Sequence, residues 1–122
     1  MPRLLWFDCS GGLIVGGLMF VFAAWAAPLF RLPEPLFHVI ASANVAYGCY
    51  ALFLARRPQR SVAQVAALAL ANLAWGVACV VGVVLLFDQA SIFGLAHMIA
   101  EAGVVFALGT AEWRHRHRLA AA

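Results

Sequence analysis

The chain has 122 residues, 66% of them hydrophobic and 11% charged, with a formal net charge of +3. Soluble domains carry about 25% charged residues, so a water-exposed globule is excluded, because most of its helix surface would be bare and apolar. The length leaves no room for a separate soluble catalytic module, and the basic residues cluster at segment boundaries instead of forming a patch for nucleic acid.

Four apolar stretches, 11–30, 36–55, 62–87 and 90–111, together hold one formally charged residue, Glu101. A bilayer core about 30 Å thick needs roughly 20 apolar residues of helix, and each stretch meets that length. The fold expected is all-α: a single integral membrane domain over 1–122, folded as a four-helix antiparallel bundle. Seven of the eight arginines fall on one side of such a bundle: Arg3, then Arg56, Arg57 and Arg60, then Arg114, Arg116 and Arg118. Arg31 with Glu34, and Asp88, fall on the other. The positive-inside rule then places both termini in the cytoplasm.

In chain order, the first helix is expected to start near Asp8 or Ser10, both good N-cap residues. Interruption of the apolar run by Asp8, Cys9 and Ser10 argues against reading Ala24-Trp25-Ala26 as a signal cleavage site. Gly12 and Gly16 form a GxxxG pair that lets a neighbouring helix approach closely. Leu32-Pro33-Glu34-Pro35 ends this span, since each proline removes a donor and disfavours helix in the residue before it. The second span stops at Ala55-Arg56-Arg57-Pro58.

Ser61 and Gln64 have the spacing of a capping box for the third span. Ala74, Ala78 and Gly82 lie four apart on one face, again suited to close packing. Either Asp88 or Ser91 caps the last helix. The tail from Glu112 to Arg118 carries an interfacial Trp113 and alternating cations, and reads as an anchor to anionic headgroups. Cys9, Cys49 and Cys79 read as small apolar fillers.

The second and third spans share a pattern. Ala41-Ser-Ala43-Asn44-Val-Ala46-Tyr47-Gly48 aligns with Ala69-Leu-Ala71-Asn72-Leu-Ala74-Trp75-Gly76, with five of eight positions identical. Two readings stay open: a shared alanine-rich vocabulary, or an inverted repeat of the kind known in transporters. Together with Asp8, Leu32-Pro33, Tyr47-Gly48, Ala55-Arg56-Arg57-Pro58, Asn72 and Trp75, the chain resembles a group of small, uncharacterised bacterial four-helix integral membrane proteins. That resemblance implies a bacterial inner-membrane location and no particular activity.

Intramembrane polar residues are costly and each needs a reason. His97 and Glu101 lie four apart, on one face of the fourth span. Without a partner or water, burial would keep Glu101 neutral, and such a group can bind and release a proton. His38, His97 and Glu101 would form a metal site if they converged, and His38 with His97 would suit a haem. No cofactor is expected otherwise. Asn44 and Asn72 are expected to bond to each other or to backbone. Asp8 and Glu112 are expected near the cytoplasmic face, paired with arginines. No phosphate loop, GxSxG, HExxH or CxxC is present, so no enzyme is expected.

The leading functional expectation is action by association with itself or another membrane protein, as a homo-oligomer or an accessory subunit in the bilayer. Gly12, Gly16 and the Ala74–Ala78–Gly82 ridge would be the docking surfaces. The alternatives are a small proton-coupled transporter using Glu101, and a haem- or metal-binding membrane protein using His38 and His97.

Overall fold

The computed structural model describes residues 3–121, and these are all-helical. Helix α1 runs Arg3–Val21, α2 Ala23–Phe30, α3 Glu34–Arg56, α4 Val62–Leu86, α5 Ile92–Arg114 and α6 Arg116–Ala121. Helices α1, α3, α4 and α5 are each long and apolar enough to cross a membrane. Large apolar side chains stand on the outside, with Val21 and Leu85 each 75% exposed. Such a surface is stable against lipid and unstable against water.

The first span departs from expectation at its start and in its middle. Helix α1 begins at Arg3, so Asp8 is an interior helical residue and caps nothing. Leu4 to Phe7 extend the apolar run, and Leu5 is fully buried. The span is also broken at Phe22 (φ −104°, ψ 15°) into α1 and α2. Arg31 closes α2 in the left-handed conformation, φ 54° and ψ 40°. From there the N–H of Arg31 reaches Pro28 O at 3.1 Å and that of Leu32 reaches Ala27 O at 3.2 Å. This satisfies carbonyls that the helix end would otherwise leave open. Pro35 sits in the first turn of α3, where a missing N–H costs nothing.

The next two helix starts follow the side-chain chemistry. Ser61 and Gln64 form the reciprocal capping box, both bonds 3.0 Å long. Ser91, not Asp88, caps α5, accepting from the Gly94 N–H at 3.3 Å. Its hydroxyl also donates to Leu29 O at 2.7 Å, and its N–H to Phe30 O at 2.9 Å, tying the end of α2 to the start of α5.

Past a break at His115 the tail is helical. Leu119 of α6 is 1% exposed, and Arg60 Nε donates to its carbonyl at 2.8 Å. Arg60 also donates to Leu54 O and Arg57 O, so one of the boundary arginines is a buried structural residue.

The long helices pack as two intimate pairs, α1 with α3 and α4 with α5. Gly12 lies against the backbone of Asn44 and Gly48, and Gly16 against Ala41 and Val45. In the other pair Gly109 meets Ala69 and Leu73, and Gly76 meets the ring of Phe106. Bare Cα surfaces allow these approaches. The fixed points between the pairs are hydrogen bonds: Tyr47 Oη to Ala71 O at 3.1 Å and Tyr50 Oη to Gln64 O at 3.0 Å, joined by those of the site below. Phe37, Ile40, Ala41 and Met98 belong to one apolar cluster, and Leu5, Leu54, Leu68 and Leu119 to another. Along both α3 and α4 the asparagine falls between the residues contributed to the two clusters.

Candidate functional site

Glu101 lies mid-way along α5 and is 8% exposed. A carboxylate so placed loses its water, and protein donors must replace it. Two helices, α3 and α4, supply them, and α5 adds a nearby imidazole. Asn44 of α3 donates from Nδ2 to Oε1 at 2.8 Å. Trp75 of α4 donates from Nε1 to Oε2 at 2.6 Å, and the Cys79 thiol stands 3.6 Å from the same oxygen. His97, one turn earlier on α5, places Nε2 3.3 Å from Oε1, at ion-pair distance but out of hydrogen-bond alignment. Glu101 is thus partnered, where burial alone would have left it bare.

A second acidic centre lies towards the other end of the pairs. Asn72 of α4 donates from Nδ2 to Asp8 Oδ2 at 2.8 Å and to Glu112 Oε1 at 2.7 Å. Asp8, Asn72 and Glu112 are 3%, 1% and 0% exposed. Among the described residues, Asn72 Oδ1 and Glu112 Oε2 have no hydrogen-bond partner. This corrects the expectation for the two acids: they are buried on an asparagine, not set at a surface with arginines. Of the two partners expected for Asn44 and Asn72, each other or backbone, the mutual bond is not formed and the backbone bond is formed by Asn44, to Ile40 O at 3.0 Å. Each also reaches a carboxylate. Charge-assisted bonds of this kind are roughly twice as strong as amide–amide ones.

A half-open cavity of about 210 Å³ borders both centres, reaching Asp8 and Asn72 of the second. Asp8, Asn44, Asn72, His97 and Glu101 are on its wall, with Gly12 and Val105 among the small and apolar lining. Its volume accommodates several waters or a small solute.

The aligned segments of α3 and α4 have matching roles. Both asparagines are buried donors to carboxylates on other helices, and both glycines lie at the close contact within a pair. The aromatics meet, with Tyr47 and Trp75 ring centroids 6.4 Å apart.

His38 is not brought to this site. Its ring is exposed and stacks on Phe20 at 5.8 Å, whereas the His97 ring lies against Phe30 at 5.5 Å. Among the described residues no three His, Cys, Asp or Glu side chains are gathered as metal ligands. The packing residues divide. Gly12 and Gly16 are covered by α3, Gly82 touches Met98, and Ala74 and Ala78 are exposed.

Sequence reading missed Asp8 and Glu112, although two spacings point to them. Asp8 precedes Gly12 and Gly16 at intervals of four, on the small-residue face. Glu112 follows Glu101 by eleven residues, three helical turns, and so shares its face.

No family model, curated protein or solved structure matches this chain.

Proposed function

We propose that the chain is a multi-pass protein of a bacterial inner membrane, an antiparallel bundle with both termini cytoplasmic, that carries protons across the bilayer, with Glu101 as the exchanging group. The observation that carries this reading is the Glu101 centre: a buried carboxylate mid-way along an apolar helix, on the wall of a cavity, with donors from two other helices and His97 beside it. A structural carboxylate needs no cavity, and intramembrane acids that line one mark ion pathways. The opposed contact order in each pair supports the antiparallel arrangement, since Gly12 meets Gly48 while Gly16 meets Ala41. The arginine distribution supports the cytoplasmic termini.

His97 tunes Glu101 in this reading, and Asn44 and Asn72 line the path. The close packing within pairs and the polar fastening between them suit rocking of one pair against the other, as in repeat-built transporters. The test uses protein reconstituted into liposomes that hold a pH-sensitive dye. A potassium diffusion potential then drives proton uptake. Wild-type vesicles are expected to acidify faster than protein-free ones, and Glu101→Gln to fall to the protein-free rate. Wild-type uptake no faster than protein-free, or undiminished uptake in the variant, overturns the reading.

Association, as a homo-oligomer or an accessory subunit, is the second reading. What favours it is the uncovered small-residue face of α4, where Ala74 and Ala78 are exposed. Docking through Gly12 and Gly16 is set aside, because α3 already occupies that face. Ala78→Leu is expected to reduce the particle mass of gently solubilised protein. An unchanged mass counts against this surface.

A further inference from the structure

We propose that Asp8 and Glu112 form a second proton-binding site, holding one proton between their carboxyl groups. Three observations carry it. Asp8 Oδ2 and Glu112 Oε1 are brought side by side on the one amide nitrogen of Asn72, at 2.8 and 2.7 Å from it. All three side chains are more than nine-tenths buried. Among the described residues, buried acceptors are left over, Asn72 Oδ1 and Glu112 Oε2.

The count of donors decides the chemistry. Two carboxylates and one amide oxygen present five acceptor oxygens, and the amide nitrogen offers two N–H groups. Two like charges side by side, out of water, cannot both persist on a neutral amide. A proton removes one charge and turns one oxygen into a donor, which addresses both deficits at once.

On α1 the thiol of Cys9 adjoins Asp8, and Cys49 and Arg56 of α3 lie near Cys9. Within α5 the next acid is Glu101, three turns away, and α4 contributes the neutral Asn72. Tyr47 of α3 is the nearest titratable group from that helix on the shared cavity wall. Arg3, His115 and Arg118 line a separate cavity with Leu4, Ala111 and Leu119. Arg60 is engaged with the carbonyls of Leu54, Arg57 and Leu119.

The position gives the site its role. Glu112 follows Glu101 by about 16 Å along α5, and the cavity wall runs from Asp8 and Asn72 to Asn44 and Glu101. The pair is the cytoplasmic station of a two-station path, a role that rests on the proposed proton carriage. The shared proton does not rest on it.

Infrared spectroscopy of the purified protein tests the shared proton without any transport assay. At neutral pH the wild type is expected to show the C=O stretch of a protonated carboxyl, shifted by deuterium exchange. Glu112→Gln and Asp8→Asn are each expected to lose it, being near-isosteric changes made independently in case one fails to fold. Glu101→Gln is expected to keep it, which separates this site from the transport reading. Absence of the band in wild type, or its survival in both variants, overturns the proposal. Its removal by sodium ions at fixed pH also does so, by identifying a metal-cation site instead.

Discussion

Substituting alanine for Gly12 isolates one physical effect, because the added Cβ has almost nowhere to go. It would stand 2.6 Å from the Asn44 carbonyl oxygen, 2.9 Å from Gly48 N and 3.0 Å from Gly48 Cα. All three are backbone atoms, so no side chain can swing aside. Only separation of α1 from α3 relieves the clash. Overpacking of this kind costs about 1–3 kcal/mol. Against it stands the helix preference of alanine over glycine, at most about 1 kcal/mol. The net expectation is destabilisation by about 1 kcal/mol, which corresponds to a fall in Tm of roughly 3–6 °C for a chain of this size.

Gly17→Ala and Gly103→Ala are the matched controls, since a Cβ at either position meets nothing within 4 Å. Both should leave Tm unchanged or raise it slightly. The assay is thermal unfolding in mild detergent, followed by tryptophan fluorescence. Trp75 is a useful reporter, because its indole is bonded to Glu101. Equal tolerance of all three substitutions would refute the argument that backbone contact at Gly12 sets the α1–α3 spacing.

Other substitutions test single bonds. Trp75→Phe keeps an aromatic ring but removes the 2.6 Å donor to Glu101 together with part of the indole volume. It is expected to cost about 1.5–3 kcal/mol, read by the same unfolding assay, and no loss would mean the indole bond is dispensable. Ser61→Ala removes the capping box of α4 and should cost about 0.5–2 kcal/mol, with Ser61→Asn restoring most of it. Arg31→Gly relieves a left-handed residue and should raise stability by about 1 kcal/mol, and a lower Tm would point to a contact made by the arginine. Of the three cysteines, Cys49 is exposed while Cys9 and Cys79 are buried, so a lipid-soluble maleimide should label one site per folded chain and lose it in Cys49→Ser.

The long helices were legible because hydrophobic run length is a local property, and the Ser61–Gln64 cap because its chemistry is confined to one turn. The polar connections were not, because they depend on which helices abut. Asn44 and Asn72 sit at matched positions of the second and third spans, which made each other or the backbone the expected partners. Carboxylates on α1 and α5 offer stronger acceptors, and the two asparagines bond to those. Asp8 was misplaced for a related reason. Its charge looks like the edge of an apolar run, yet Leu4 to Phe7 carry the helix past it. The spacing of four from Asp8 to Gly12 and Gly16 held the better clue, since a residue on the glycine face is carried into the contact.

The division of forces between and within the pairs bears on how proton binding would be felt. Each pair is held by glycine backbones in direct contact, and changing the charge of a side chain elsewhere leaves that contact as it is. Between the pairs, Asn44 reaches Glu101 and Asn72 reaches Asp8, so two of the fastenings end on carboxylates. Protonation of Glu101 converts one accepting oxygen to a hydroxyl. If that oxygen is Oε2, the hydroxyl opposes the Trp75 N–H, and if it is Oε1, it opposes the Asn44 amide. The Trp75 bond lies within the α4–α5 pair and the Asn44 bond joins α3 to α5, so protonation on Oε1 is the case that disturbs the fastening between the pairs. The group proposed to exchange the proton is therefore also a group that fixes one pair against the other. In the proposed function this couples the proton to pair movement through a local change in hydrogen bonding, with each pair moving as a rigid unit. Exchange of Glu101 for glutamine would uncouple them, because the amide keeps one accepting oxygen and offers a permanent donor whatever the pH.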